Sequence, residues 1–138
     1  MTARATAVLI TICVSVLSAS GASIRVVNGD RSLALTDDDL QSIPQHSITV
    51  DDHGKKVTFE GVLLADVLQK VAAPRGDTLK GDALAQHVVI EASDDYRVTF
   101  AIAETDPEFS GKSIYLVAKR DGKPLSEKEG PFRIVVPD

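Results

Sequence analysis

Short runs of β-forming residues, closed off again and again by glycine-bearing turn pairs, are the feature that most limits what this chain can fold into. "SIRVVNG" alternates and ends at Asn28-Gly29, and "SLALT" follows at once. "HSITV" and "KKVTFEGV" flank "DDHG", where Gly54 is available for positive φ. "HVVIEAS" and "YRVTFAI" meet at Asp94-Asp95, and "SIYLVAKR" reaches the Asp121-Gly122 turn before a closing "FRIVVP". Between these runs the spacing changes to that of helices. Thr36 precedes "DDDLQSI" as an N-cap, with Asp37, Asp38 and Asp39 in the first turn, where carboxylates complement the helix dipole. In "LLADVLQKVAA" the residues Leu64, Val67, Leu68 and Val71 form one apolar stripe that Pro74 and Gly76 close, leaving Gln69 and Lys70 on the polar side. "DTLKGDALAQ" is irregular, with room for a short helix, and "AETDPEF" is a turn or single helical turn broken by Pro107. The expectation is an α+β domain: a mixed β-sheet with two or three short helices.

The N-terminus is different in kind. "MTAR" carries one positive charge, Ala5 to Leu17 is apolar, and Ser18, Ala19, Ser20, Gly21 and Ala22 are small. The run is shorter than the roughly 20 residues a bilayer requires. It has the design of a signal peptide, residues 1–22, cleaved after Ala22 to leave a domain of residues 23–138 that is periplasmic or secreted and has no membrane span. Cys13, the only cysteine, lies in that run after the bulky Ile12, which does not suit lipidation. A processed chain would therefore have no thiol for a disulfide, a metal or a nucleophile. Loss of Arg4 moves the net charge from −5 to −6, which argues against nucleic acid and anionic membrane as partners.

Few residues suggest chemistry. His46, His53 and His87 are scattered without metal-ligand spacing, and His53 sits in a turn. Asp37, Asp38 and Asp39 lack the alternation of a calcium loop. There is no Gly-x-Ser-x-Gly elbow and no phosphate loop, and "RGD" at Arg75–Asp77 is a short match in a loop. Four Phe, two Tyr and no Trp provide little stacking surface. Tyr96 and Arg97, after "ASDD", point to opposite faces if they lie in a strand. Tyr96 is then either a packing residue at the hairpin edge or a ligand contact.

"FEGVLLADVLQKVA", "VVIEASDDYRVTFAIAETDP" and "IYLVAKRDGKPLSEKEGPFRIVVP", in that order from Phe59 to Pro137, resemble the molybdopterin-binding domain of the sulfite oxidase family. The final segment carries most of the resemblance: Gly122, Pro124 and Leu125 in a turn, Gly130 in a charged loop, Arg133 in the closing strand, and a Val135-Val136-Pro137 end. The resemblance implies a molybdopterin cofactor, with Arg133 as a cofactor-binding residue. It also implies a cysteine thiolate on molybdenum, which a chain without Cys13 would lack. Glu129 stands where the family has a histidine ahead of the glycine, and an acid there opposes an anionic pterin or oxyanion. Full-length members continue into a basic segment that helps hold the pterin, whereas this sequence ends at Asp138.

The expectation is an exported, non-catalytic relative with no metal and no cofactor. It would bind a small ligand or a partner protein, with Tyr96 and Glu129 as ligand-binding candidates. The alternatives are a molybdopterin-dependent oxidoreductase acting with a partner subunit or an unusual metal ligand, and a purely structural accessory protein.

Overall fold

The computed structural model describes residues 9–15 and 22–137. Ten strands and four short helices follow one another as β1 (Leu9–Ser15), β2 (Ser23–Asn28), β3 (Arg31–Thr36), α1 (Asp37–Gln41), β4 (Gln45–Asp52), β5 (Lys55–Leu63), α2 (Leu64–Gln69), β6 (His87–Glu91), β7 (Arg97–Ala101), α3 (Ile102–Thr105), α4 (Pro107–Ser110), β8 (Tyr115–Arg120), β9 (Lys123–Pro124) and β10 (Arg133–Val135). The irregular stretch after α2 forms two 3-10 turns, Gly76–Thr78 and Gly81–Ala85. The molecule is the mixed α+β domain that the alternating runs and turn pairs suggest, built on two sheets.

One sheet has the order β3-β2-β1-β6-β7. The other runs β10-β8-β5-β4, with β9 paired to β8. All pairings are antiparallel except β1 with β6. The turn pairs form as their residues dictate: His53-Gly54 and Asp121-Gly122 both take positive φ at each position, the geometry that matches strand twist in a tight hairpin. Pro107 opens α4 rather than breaking a helix, since its missing N–H is no loss at the first helical position.

Alternation sorts the side chains. Ile10, Ile12, Ile24, Val26, Val88 and Ile90 of the first sheet join Val62 and Leu116 of the second in the main core. The α2 stripe completes it, with Leu64, Val67, Leu68 and Val71 buried and Gln69 and Lys70 exposed. This helix is shorter than its apolar stripe. Ala72 adopts φ 56°, and the amides of Ala72 and Ala73 donate back to the carbonyls of Gln69 and Leu68. That left-handed closure ends the helix before Pro74 is reached.

The opposite face of the second sheet carries a smaller apolar cluster of Val57, Phe59, Val117 and Val135. Between Glu60 and Gly61 the β5–β8 register shifts. At this bulge a side chain on Gly61 would run into the Leu116 carbonyl and the Val117 Cα, so only glycine lets the two strands approach.

Half of the predicted leader's apolar run falls within the described residues. In the intact chain Leu9–Ser15 is a central strand, with Ile10 and Ile12 fully buried.

Candidate functional site

Two of the three residues singled out from sequence come together on the outer face of the second sheet. Phe59 is 1% exposed there, and both Arg120 and Arg133 lie over its ring, with guanidinium carbons 5.7 and 5.3 Å from the centroid. The β5–β8 register sets Arg120 opposite Phe59, and the β8–β10 register sets Arg133 opposite Val117 on the same face. Glu129, in the loop before β10, accepts from Arg120 at 2.6 Å and from Arg133 at 2.9 Å. Asp52, at the end of β4, pairs with Arg120 at 2.8 Å. Glu127, the other acid in that loop, makes no ion pair among the described residues.

The cluster thus holds two carboxylates and two guanidiniums. Partial burial alone would lower the Arg120 pKa, but the hydrogen bond to Glu129 and the negative charges of Glu129 and Asp52 outweigh it and raise the pKa above its ordinary value. Arg120 is a fixed cation. Beside this cluster a cleft of about 380 Å³ is lined by Asp51, Asp52, Phe59, Arg133, Val135 and Val136.

Tyr96 lies elsewhere. It precedes β7, is 67% exposed, and lines a largely apolar cleft of about 220 Å³ with Ile90, Val98, Phe132 and Ile134. Arg133 contributes to the wall of this cleft, but its guanidinium is turned to Glu129 and Phe59. Arg97, not itself in the lining, pairs at 3.0 Å with Glu91, which is. Of the histidines, His53 is almost fully exposed, and the His46 ring packs 5.6 Å from that of Tyr115. The "RGD" loop is held structurally: Arg75 pairs with Asp66 at 2.6 Å, and the Gly76 amide donates to the buried Asp106 at 2.7 Å.

Sequence reasoning finds Arg133 and Glu129 but misses Asp52, Phe59 and Arg120. Asp52 and Phe59 lie on the β4–β5 hairpin and Arg120 far along the chain on β8, and only the cross-strand register unites them. An arginine immediately before the Asp121-Gly122 turn is the signal that the sequence offers for Arg120.

The fit of this cluster to molybdopterin follows from its charge. Glu129 and Asp52 offset the charge of both guanidiniums, so an anionic phosphate meets no net positive charge in this cluster. Among the described residues no group of three His, Cys, Asp or Glu is placed to hold a metal ion. The only cysteine, Cys13, lies on β1 in the other sheet. The charge balance around Arg133 is a poor match for an anionic cofactor.

No curated protein matches the sequence. Residues 17–138 match the family model of the oxidoreductase molybdopterin binding domain. With the match covering nearly the whole chain and an α+β architecture of two sheets and short helices beneath it, this protein belongs to the oxidoreductase molybdopterin binding domain family.

Proposed function

We propose that this member of the family is an exported binding module without a molybdenum centre. The observation that carries this reading is the neutralisation of Arg120 and Arg133 by Glu129 and Asp52. A site that spends its cations on internal pairs lacks the positive charge an anionic pterin requires.

The cleft beside Tyr96 is the better place for a small ligand. Its walls are mostly apolar, with Glu91 and Arg133 the charged residues among them, and the exposed Tyr96 adds a hydroxyl to the lining. This favours a small, mostly apolar molecule with one polar end. Export is supported by the composition of residues 1–22, and no described helix is long and apolar enough to cross a membrane.

The test is elemental and pterin analysis of protein made in a host that assembles the cofactor. Background molybdenum with an intact fold is the expected result. Roughly one molybdenum per chain, with turnover of sulfite or a sulfoxide, would instead establish an oxidoreductase with an unusual metal ligand.

A further inference from the structure

We propose that a cleft at the β5–β8 bulge is a binding site for a free α-amino acid with a small apolar side chain. It lies apart from the Arg133 cluster and shares only Leu116 and Phe132 with the cleft beside Tyr96. The cleft has a local cause. Glu60 pairs with Lys119 while Gly61 pairs with Val117, so Ala118 is an extra residue on β8. A bulge of this kind disrupts the ladder, and bulges recur beside functional sites. Gly61 and Ala118 contribute little or no side chain to the lining, and the space left is about 210 Å³. That is the volume of roughly seven waters at about 30 Å³ each, which suits a compact metabolite rather than a drug-sized ligand.

The lining divides by chemistry. Leu40, Val62, Leu116, Ala118 and Phe132 supply apolar surface, and the first three are buried in the main core. Glu60 and Lys119 add a carboxylate and an ammonium side by side, 41% and 45% exposed. Their closest approach is 4.0 Å, outside hydrogen-bond range, whereas the arginine pairs close to 2.6–3.0 Å. Both heads therefore keep bonding capacity for a ligand. An α-amino acid carries the matching pair on one carbon: its ammonium meets Glu60, its carboxylate meets Lys119, and its side chain meets the apolar surface. Asp37 adds a second carboxylate to the lining, which favours the ammonium end further, and the His46 ring is packed on Tyr115. The wall is held in place. The Gln45 amide donates to the carbonyls of Leu40 and Ile43 at 2.8 and 2.9 Å, tying the end of α1 to the start of β4. A wall fixed in advance lowers the ordering cost of binding. A peptide end offers only one of the two charges, so the pair selects a free amino acid.

The test is a titration of the isotope-labelled full chain with leucine, followed by amide chemical shifts. The reporters are residues that line one cleft alone: Ser47 and Ala118 here, Ile90 and Val98 beside Tyr96. Saturable shifts at Ser47 and Ala118 are the expected result. Leucinamide, 4-methylpentanoate and glycine lack the carboxylate charge, the ammonium and the side chain in turn, and each should bind weaker by about tenfold or more. Glu60→Gln and Lys119→Met alter partly exposed side chains, so the fold should persist, which a thermal melt checks. Lys119→Met should leave leucine binding no better than leucinamide, and Glu60→Gln should narrow the gap between leucine and 4-methylpentanoate. The proposal is overturned if millimolar leucine moves neither reporter pair, if it moves Ile90 and Val98 instead, or if the three analogues match leucine. Leucine binding that survives both substitutions undiminished overturns it as well. Stoichiometric molybdenum would refute the non-catalytic reading and leave this titration unaffected, so the two failures are told apart.

Discussion

Glu129 bonds two guanidinium groups at once, and this decides what either arginine can bind. Replacing it by glutamine keeps an acceptor but removes the shared negative charge, and with Asp52 still paired to Arg120, Arg133 becomes the cation over Phe59 that no carboxylate offsets. We expect Glu129→Gln to raise affinity for inorganic phosphate several-fold in low salt, with a stability loss of only about 1 kcal/mol for a partly exposed pair. Titration calorimetry reads the first and a denaturant melt the second. Unchanged phosphate binding would mean that Arg133 is not held back by its partner. Gly61 is constrained by space rather than charge. Because a Cβ there meets the backbone of β8, Gly61→Ala should cost about 1–3 kcal/mol through overpacking at the bulge.

Secondary structure was legible where period and turn chemistry agreed, and less so where the backbone closes against expectation. The alternation in β4, β5 and β6 is plain in sequence because one side of each strand is buried more than the other. The end of α2 was not, because Val71 continues the apolar stripe while Ala72 already turns left-handed. An alanine there carries the steric cost of its Cβ, so Ala72→Gly should stabilise the fold by about 1 kcal/mol in a thermal or denaturant melt. Leu68→Ala, inside the stripe, should cost about 2–5 kcal/mol. The α1 start has a pH signature. The Thr36 amide, and then its hydroxyl, donate to Asp39 and hold its pKa below the ordinary value. A carboxylate depressed in the folded state adds stability above its unfolded pKa of about 4, and that stability is lost as pH falls through the lower folded value. Asp39→Asn should therefore flatten the stability profile below about pH 4 and leave its slope at higher pH unchanged. The outer-face cluster escaped sequence reading for a different reason: no local pattern brings Asp52 to Arg120.

At the scale of the whole molecule, one segment answers to two physical demands. Leu9–Ser15 is apolar enough for a signal-peptide core and alternates well enough for a buried strand, and hydrophobic periodicity cannot separate these roles in so short a run. Folding hides Ile10 and Ile12 completely, whereas targeting needs the same residues exposed to the export machinery. If the chain is exported as proposed, the two outcomes compete, and export has to precede closure of the first sheet. Slower folding should favour export. Leu68→Ala destabilises the core outside the leader, so the fraction processed should stay equal or rise, while Ile12→Asp should lower it by disrupting the apolar run. Intact mass of the protein recovered from the native export compartment is the decisive measurement. A chain beginning at Ser23, or within residues 19–23, is the expected result. A chain retaining Met1 to Ala22 would mean that β1 remains in the sheet as a permanent strand, with the leader reading abandoned.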